Sequence, residues 1–171
     1  MQIYLLRHAI AESRDPDRFP DDALRPLTRE GRAKMARAVR GMKSLGLRFD
    51  LVLTSPLMRA RQTARLVVRG LRPEPPLKVL RPLASGGGTG GVVAGLSGLP
   101  PQAAVLLVGH EPDLSQLAGA LVVSPRADLP LDFKKGALLR IDFQGPPRPG
   151  EGVLIFHLPP RVLRGLARGS A

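Results

Sequence analysis

"DLVLTSPLMRARQTARLVV", residues 50–68, reads as a strand running into a helix. Residues 50–54 form a short, nearly unbroken apolar run, the pattern of a parallel strand covered on both faces. Ser55 suits a helix N-cap and Pro56 the first helical position. Ala60, Ala64, Val67 and Leu71 then recur at helical spacing and predict the buried face.

The same unit recurs on either side. Residues 104–108, "AVLLV", lead into "GHEPDLSQLAGAL", where Pro112 sits near a helix start and Leu114, Leu117, Ala118 and Leu121 face inward. Residues 2–6 form a third strand, followed by a long polar loop. Thr28 then caps a helix that Gly46 ends, with Met35, Ala36, Val39, Met42 and Leu45 on one stripe. Residues 72–101 are rich in Pro and Gly and read as loop, with a short helix near 92–96. Residues 137–143 and 152–158, joined by "QGPPRPGE", predict a terminal hairpin. Strands alternating with helices, without a repeat or an internal boundary, indicate a single α/β sandwich domain over 1–171.

Composition narrows the function. The 171 residues contain no cysteine, so a disulfide framework, a thiolate metal site and a thiol nucleophile are excluded. No apolar run approaches the roughly 20 residues of a membrane span, and the start lacks a basic segment before an apolar one. A soluble, cytoplasmic protein without membrane contact is expected. The net charge of +12 suits anionic partners. Aromatics at 4%, with no recognisable binding module, argue against nucleic acid.

The chemistry lies at three strand ends. Arg7 and His8, residues 55–59 ending in Arg59, and Gly109, His110 and Glu111 each follow a predicted parallel strand. Ligands of open α/β sheets bind outside the carboxyl ends of the strands. Two of these segments also open helices, whose free N–H groups favour an anion. Two guanidinium groups can clamp phosphoryl oxygens, and a neutral imidazole can attack phosphorus, with no metal needed for positive charge.

Taken singly, each residue has a simpler reading. His8 alone is a satisfied core histidine, His110 a helix cap, and Glu111 a carboxylate favoured by a helix dipole. The three-part constellation favours chemistry for the two histidines. His157 lacks matched partners and reads as structural. Arg61, Arg65 and Arg69 recur every four residues and read as a solvated helix face. "GGGTGG", residues 86–91, fits G-x-G-x-x-G but lacks the preceding strand and following long helix of a nucleotide site. It reads as a flexible loop at the pocket mouth. Lys134 and Lys135 read as a solvated pair or as contacts for an acidic partner.

"LRHAIAE" (6–12), "SPLMRARQTA" (55–64) and "GHEPDL" (109–114) resemble, in order, the motifs of the histidine phosphatase, or phosphoglycerate mutase-like, superfamily. "RPLTREG" (25–31), "GHEPDL" and the short chain resemble its SixA-type phosphohistidine phosphatases. The resemblance implies a three-layer α/β/α sandwich with a mostly parallel sheet. It implies His8 as the phosphorylated nucleophile, Arg7 and Arg59 as phosphate-binding residues, and His110 as the second histidine of the pocket. Glu111 stands where related acid phosphatases place an Asp, which makes it the candidate proton donor. No cofactor is implied.

Two departures matter. Ala9 replaces the glycine of the usual Arg-His-Gly, tolerable where the backbone is not left-handed. Mutase-like members also carry a proton-donating glutamate after the second helix, whereas "LRPLASGGGTGG" (80–91) has no carboxylate. An alkoxide leaving group needs a positioned acid, and a protonated imidazole leaves far more easily. The expected substrate is therefore a phosphohistidine on a signalling protein, such as a histidine phosphotransfer domain. The alternatives are a small phosphorylated metabolite and a non-catalytic phosphate-binding regulatory module.

Overall fold

Side chains along β1 (Gln2–Arg7) alternate between two apolar layers, as a strand buried on both faces must. Ile3 and Leu5 join Leu53, Val105, Leu107, Leu139 and Ile141 beneath Leu114, Leu117 and Leu121. Tyr4 and Leu6 join Val52, Leu106, Val108 and Leu138 against Met35, Val39, Met42, Ala64 and Val67. The computed structural model describes residues 1–127 and 129–167. After β1 the chain forms α1 (Arg29–Ser44), β2 (Leu51–Thr54), α2 (Met58–Gly70), β3 (Leu77–Val79), α3 (Thr89–Gly95), β4 (Ala104–Gly109), α4 (Asp113–Val122), β5 (Leu138–Asp142), β6 (Val153–Leu158) and α5 (Pro160–Leu166). Single 3-10 turns lie at Asp22–Leu24 and Arg81–Leu83.

The sheet order is β3-β2-β4-β1-β5-β6. β1 to β4 run parallel, and β5 is antiparallel to both its neighbours, β1 and β6. The first apolar layer packs against α3 and α4, the second against α1, α2 and α5. This is the three-layer, mostly parallel sandwich of the phosphoglycerate mutase-like fold. Thr28 caps α1, its Oγ1 accepting from the Gly31 N–H at 2.8 Å, and Gly46 follows the helix at φ 68°. Among the described residues, no helix is long and apolar enough to cross a membrane.

Several local features differ from the sequence reading. α2 starts at Met58, not Pro56. The Ser55 N–H continues the sheet ladder to the Val108 carbonyl at 2.9 Å, its Oγ is engaged by the Leu57 N–H and by His110, and α2 has no side-chain cap. On α1, Ala38 lies on the buried stripe rather than Ala36, and Leu45 is 41% exposed beyond the last turn. Residues 72–101 hold more structure than a loop. β3 forms directly after Pro73, Pro75 and Pro76 and, as an edge strand, pairs with β2 alone. "GGGTGG" is part loop and part helix, since α3 begins at Thr89 and buries Val92. α5 escaped notice because Pro159 and Pro160 resemble a breaker, although Pro is at home in a first helical turn.

Glycine allows two close approaches that shape this frame. A Cβ on Gly31 would lie 2.0 Å from the Ile10 carbonyl oxygen, so α1 rests directly on the segment leaving His8. A Cβ on Gly41 would lie 1.8 Å from the Leu163 carbonyl oxygen, where α1 meets α5. Gly41→Ala is expected to destabilise the fold by about 2–3 kcal/mol, because backbone must move to admit the methyl. Urea unfolding checks this, and an unchanged midpoint would contradict the packing described.

Candidate active site

The strand order itself brings the three motifs together. β4 lies between β2 and β1, with Thr54 opposite Val108 and Arg7 opposite Gly109. The His8 N–H donates to the Gly109 carbonyl at 3.0 Å, so both histidines leave adjacent strands in register. Their ring centroids are 5.1 Å apart.

His8 is 6% exposed. Its Nδ1 lies 2.7 Å from the Ala9 carbonyl oxygen, which can only accept. Nδ1 therefore carries the proton, and Nε2 keeps its lone pair. The Ala9 N–H donates to Thr63 Oγ1 (3.0 Å) and that hydroxyl to the Arg59 carbonyl (2.7 Å), so α2 fixes the backbone beside His8. No non-glycine residue among those described has a positive φ, so the Ala9 methyl is tolerated.

His110 is 3% exposed, and its Nε2 lies 2.8 Å from Ser55 Oγ. Ser55 Oγ accepts the Leu57 N–H at 3.3 Å, and the proton of this fully buried hydroxyl finds its acceptor in Nε2. On that assignment, drawn from the hydrogen-bond network, Nδ1 of His110 is an N–H donor. Burial, the largest effect, pushes His8 down to about 3; the Ala9 hydrogen bond opposes it, while His110, Arg59 and Arg7 add to it. Burial and then Arg59 push His110 down to about 4. Both rings are neutral at pH 7, as a nucleophilic imidazole requires.

Arg7 donates from Nη1 to the Phe133 carbonyl at 2.7 Å. Arg59, 5% exposed, donates from Nη1 to the Asp22 carbonyl at 2.9 Å and pairs with Asp22 Oδ2 at 3.0 Å. Three buried polar atoms of this cluster, Arg7 Nε, Arg59 Nε and His110 Nδ1, have no hydrogen-bond partner among the described residues. Buried donors normally find acceptors, so the cluster fits an oxyanion such as a phosphoryl group.

Sequence reasoning missed Asp22 and Arg25. Asp22 Oδ1 accepts from Arg25 Nε at 2.8 Å, and Arg25 Nη1 donates to the Glu12 carbonyl at 2.7 Å. The Arg25 hydrogen bond, against a partial desolvation penalty, and then Arg59 hold the Asp22 carboxyl below the usual range. Arg25 opens "RPLTREG", so its motif was visible and its role was not. Lys135 belongs to the same field: burial first, then Arg7, Arg25 and Arg59, push its ammonium down. Lys134 instead pairs with Asp132 at 3.1 Å.

Glu111 lies directly ahead of α4 and bonds to its first turn. Its carboxylate accepts from Ser115 Oγ (2.6 Å) and Ser115 N (3.2 Å), within the first turn of α4. Of the arginines on α2, Arg65 and Arg69 are exposed and Arg61 is half-buried. His157 packs edge-on against the Phe133 ring, 5.2 Å between centroids.

A strand-end cluster of two neutral imidazoles and two arginines with free donors defines a class, and comparison with known proteins agrees. Residues 3–83 match the histidine phosphatase superfamily (branch 1). An uncharacterized protein of Picosynechococcus sp. is 37% identical over 142 residues, 81% of this chain and 83% of its own length. The chain belongs to the histidine phosphatase superfamily and is a histidine-nucleophile hydrolase.

Within that superfamily it is of the SixA type. The protein histidine phosphatase SixA complexed with tungstate matches with a TM-score of 0.80 and 28% identity, covering 94% of this chain and 98% of that one. The alpha-ribazole phosphatase from Shigella flexneri shares the fold, with a TM-score of 0.62, 18% identity and coverage of 94% and 97%.

The depressed histidines carry a prediction of their own. The unfolded chain takes up protons as pH falls through 6.5, while folded His110 and His8 stay neutral until about 4 and about 3. Their contribution to stability is therefore complete above pH 6.5 and is lost on acidification across that window. Nitrogen-15 NMR should show both rings neutral at pH 5.5, and the melting temperature should fall between pH 7.5 and 5. Saturation with inorganic phosphate should raise both pKa values, since an anion favours the charged rings.

Proposed function

We propose that this phosphatase hydrolyses phosphohistidine carried on a protein, through a phosphorylated His8. The observation that carries this reading is the lack of a carboxylate on the segment where mutase-like members carry their proton donor. Residues 80–91 contain no carboxylate, Glu111 is tied to Ser115, and Asp22 is held ionised by Arg25 and Arg59. A sugar or glycerate oxygen leaving from phosphorus needs a proton from such an acid. An imidazole protonated on its other ring nitrogen needs none.

The step is balanced as follows. The Nε2 lone pair of His8 forms a bond to phosphorus on the side opposite the leaving nitrogen. The substrate P–N bond breaks, and its electron pair returns to that nitrogen, leaving a neutral imidazole. His8 keeps its Nδ1 proton on the Ala9 carbonyl, which holds the ring in line and stabilises its new positive charge. Arg7 Nε, Arg59 Nε and His110 Nδ1 meet the three non-bridging oxygens, where transition-state charge collects. Water then attacks phosphorus, the electron pair returns to Nε2, and the proton from water leaves with the phosphate. Arg25, Lys135 and the net charge of +12 give the acidic surface of a partner protein a field to follow.

The test compares kcat/KM for a phosphorylated histidine phosphotransfer domain, 3-phosphoglycerate and p-nitrophenyl phosphate. Phosphohistidine should exceed phosphoglycerate by at least about 100-fold, the order that a positioned general acid contributes. Equal or reversed preference would replace this reading with that of a metabolite phosphatase.

A further inference from the structure

A protein that carries phosphohistidine can reach His8 only by resting on the sheet edge where the parallel strands end. That edge has an open cleft that no group of the phosphate cluster lines. It encloses about 730 Å³, open mouth included, where β6 turns into α5. His157, Arg161 and Arg164 line it from β6 and α5, and Asp132 and Lys134 from the segment ahead of β5. Leu158 lies opposite Leu138, and Leu138 opposite Leu6, so the cleft shares the edge that holds Arg7 and His8. Two strand spacings, about 10 Å, separate β6 from β1.

Charge sets this cleft apart. Two other open clefts lie at the opposite edge: one is lined by Asp142, across from Gln2 at the start of β1, and by Glu151; the other by Asp50, just before β2, and by Lys78. Neither has an excess of positive charge. Beside the phosphate site, Asp132 pairs with Lys134 at 3.1 Å, whereas Arg161 and Arg164 make no ion pair or side-chain hydrogen bond among the described residues. The two arginines are three residues apart on α5 and so share a side of the helix. Buried Leu163 between them holds that helix against Gly41 of α1. The segment between cleft and pocket belongs to both. The Phe133 carbonyl accepts Arg7 Nη1 at 2.7 Å while its ring packs on His157, and the Gly136 N–H donates to the Arg7 carbonyl at 3.0 Å. Lys135 stands on the same segment, within the field of Arg7 and Arg59.

We infer that this cleft docks surface carboxylates of the protein that carries the phosphohistidine, with Arg161 and Arg164 pairing with them while the phosphoryl group sits on Arg7, Arg59 and His110. The inference rests on the phosphohistidine reading and adds which face the carrier covers. A guanidinium meets a carboxylate through two parallel N–H···O bonds, so a pair of arginines orients the carrier as well as attracting it. An aryl phosphate has no carboxylate to offer, and the cleft serves the protein substrate alone. Charges at the rim act on encounter and hold the carrier, which lowers KM. Neither arginine reaches the phosphoryl group, so kcat is set elsewhere.

Arg161→Glu combined with Arg164→Glu tests this, read against Arg65→Glu combined with Arg69→Glu, which changes the net charge equally on the exposed face of α2. The measured quantities are kcat and KM for a phosphorylated histidine phosphotransfer domain with an acidic surface, and kcat/KM for p-nitrophenyl phosphate. At low salt the α5 pair should raise KM for the domain by about 10-fold or more, because like charges now meet, with kcat and the aryl phosphate unchanged. Salt at about 0.5 M should shrink that difference. The α2 pair should leave KM for the domain unchanged. Arg161→Ala, at an exposed position, is the gentler variant, with a rise in KM of about threefold expected. An unchanged KM in the α5 pair overturns the docking site. An equal rise in the α5 and α2 pairs overturns it too, because net charge and not the cleft is then at work. Equal loss on both substrates, in Arg161→Ala as in the α5 pair, assigns these arginines to the fold and likewise overturns it. Wild type that hydrolyses p-nitrophenyl phosphate but not the phosphorylated domain removes the substrate reading and the docking site together.

Discussion

Replacement of His8 by alanine is expected to lower kcat by at least about 10,000-fold, the scale on which loss of a covalent nucleophile is felt. The expectation follows from the geometry around the ring. Ala9 fixes the proton on Nδ1, burial keeps the imidazole neutral, and Nε2 is left as the nucleophilic lone pair. His110 cannot take over, because its Nε2 faces Ser55 at 2.8 Å and its Nδ1 is assigned as a donor. Water attacking the bound phosphoryl group directly would have to make the whole displacement in one step. Rapid quench with a labelled phosphohistidine protein checks the chemistry as well as the rate. Wild type should carry an acid-labile, alkali-stable phosphoryl group, and His8→Ala none. Wild-type turnover by His8→Ala would sink the mechanism.

Replacement of Arg59 by alanine is expected to cost about 1,000-fold in kcat/KM, the lower end for a guanidinium that stabilises a transferring phosphoryl group. Arg59 is 5% exposed, and its Nη1 is already committed to Asp22 through the carbonyl (2.9 Å) and the carboxylate (3.0 Å). That pairing turns the guanidinium so that Nε is free for phosphate. Arg59→Lys should recover little, because one ammonium cannot pair with Asp22 and present a second, fixed donor to the phosphoryl group. The measurements are kcat/KM and the dissociation constant for tungstate, both weakened in Arg59→Ala. A variant with normal tungstate affinity and normal kcat/KM would remove Arg59 from the phosphate pocket. Asp22→Asn makes a milder companion, since it keeps the carbonyl contact to Nη1 and loses only the charge.

Much of this was legible one residue at a time. Val, Leu and Ile runs bounded by small or polar turns mark β1, β2 and β4, because a strand buried on both faces must be apolar without interruption. A cationic or imidazole side chain directly after such a run stands at a sheet edge, where α/β ligands bind. Those two local rules locate Arg7, His8 and His110, while Arg59 stands farther on, in the first turn of α2. They fail for β3 and α5, where prolines outweigh the local signal, and for Ser55, whose Oγ is engaged by the Leu57 N–H and His110 ahead of the helix. Neither rule indicates that the Glu111 carboxylate, beside His110, bonds to Ser115.

By itself, then, the sequence determined the layers, the strand ends and the arginine and histidine side chains gathered there, since each depends on residues within one strand and the segment that follows it. Only the tertiary structure decided which other charges enter the site. Asp22 and Arg25 arrive from a polar loop, Lys135 from the approach to β5, and Asp113 turns toward the glycine loop rather than to solvent. The physical reason is distance along the chain. Asp22 meets Arg59 across 37 residues and Asp113 meets Gly86 across 27, and such pairs form only when the sheet order has already placed their elements side by side.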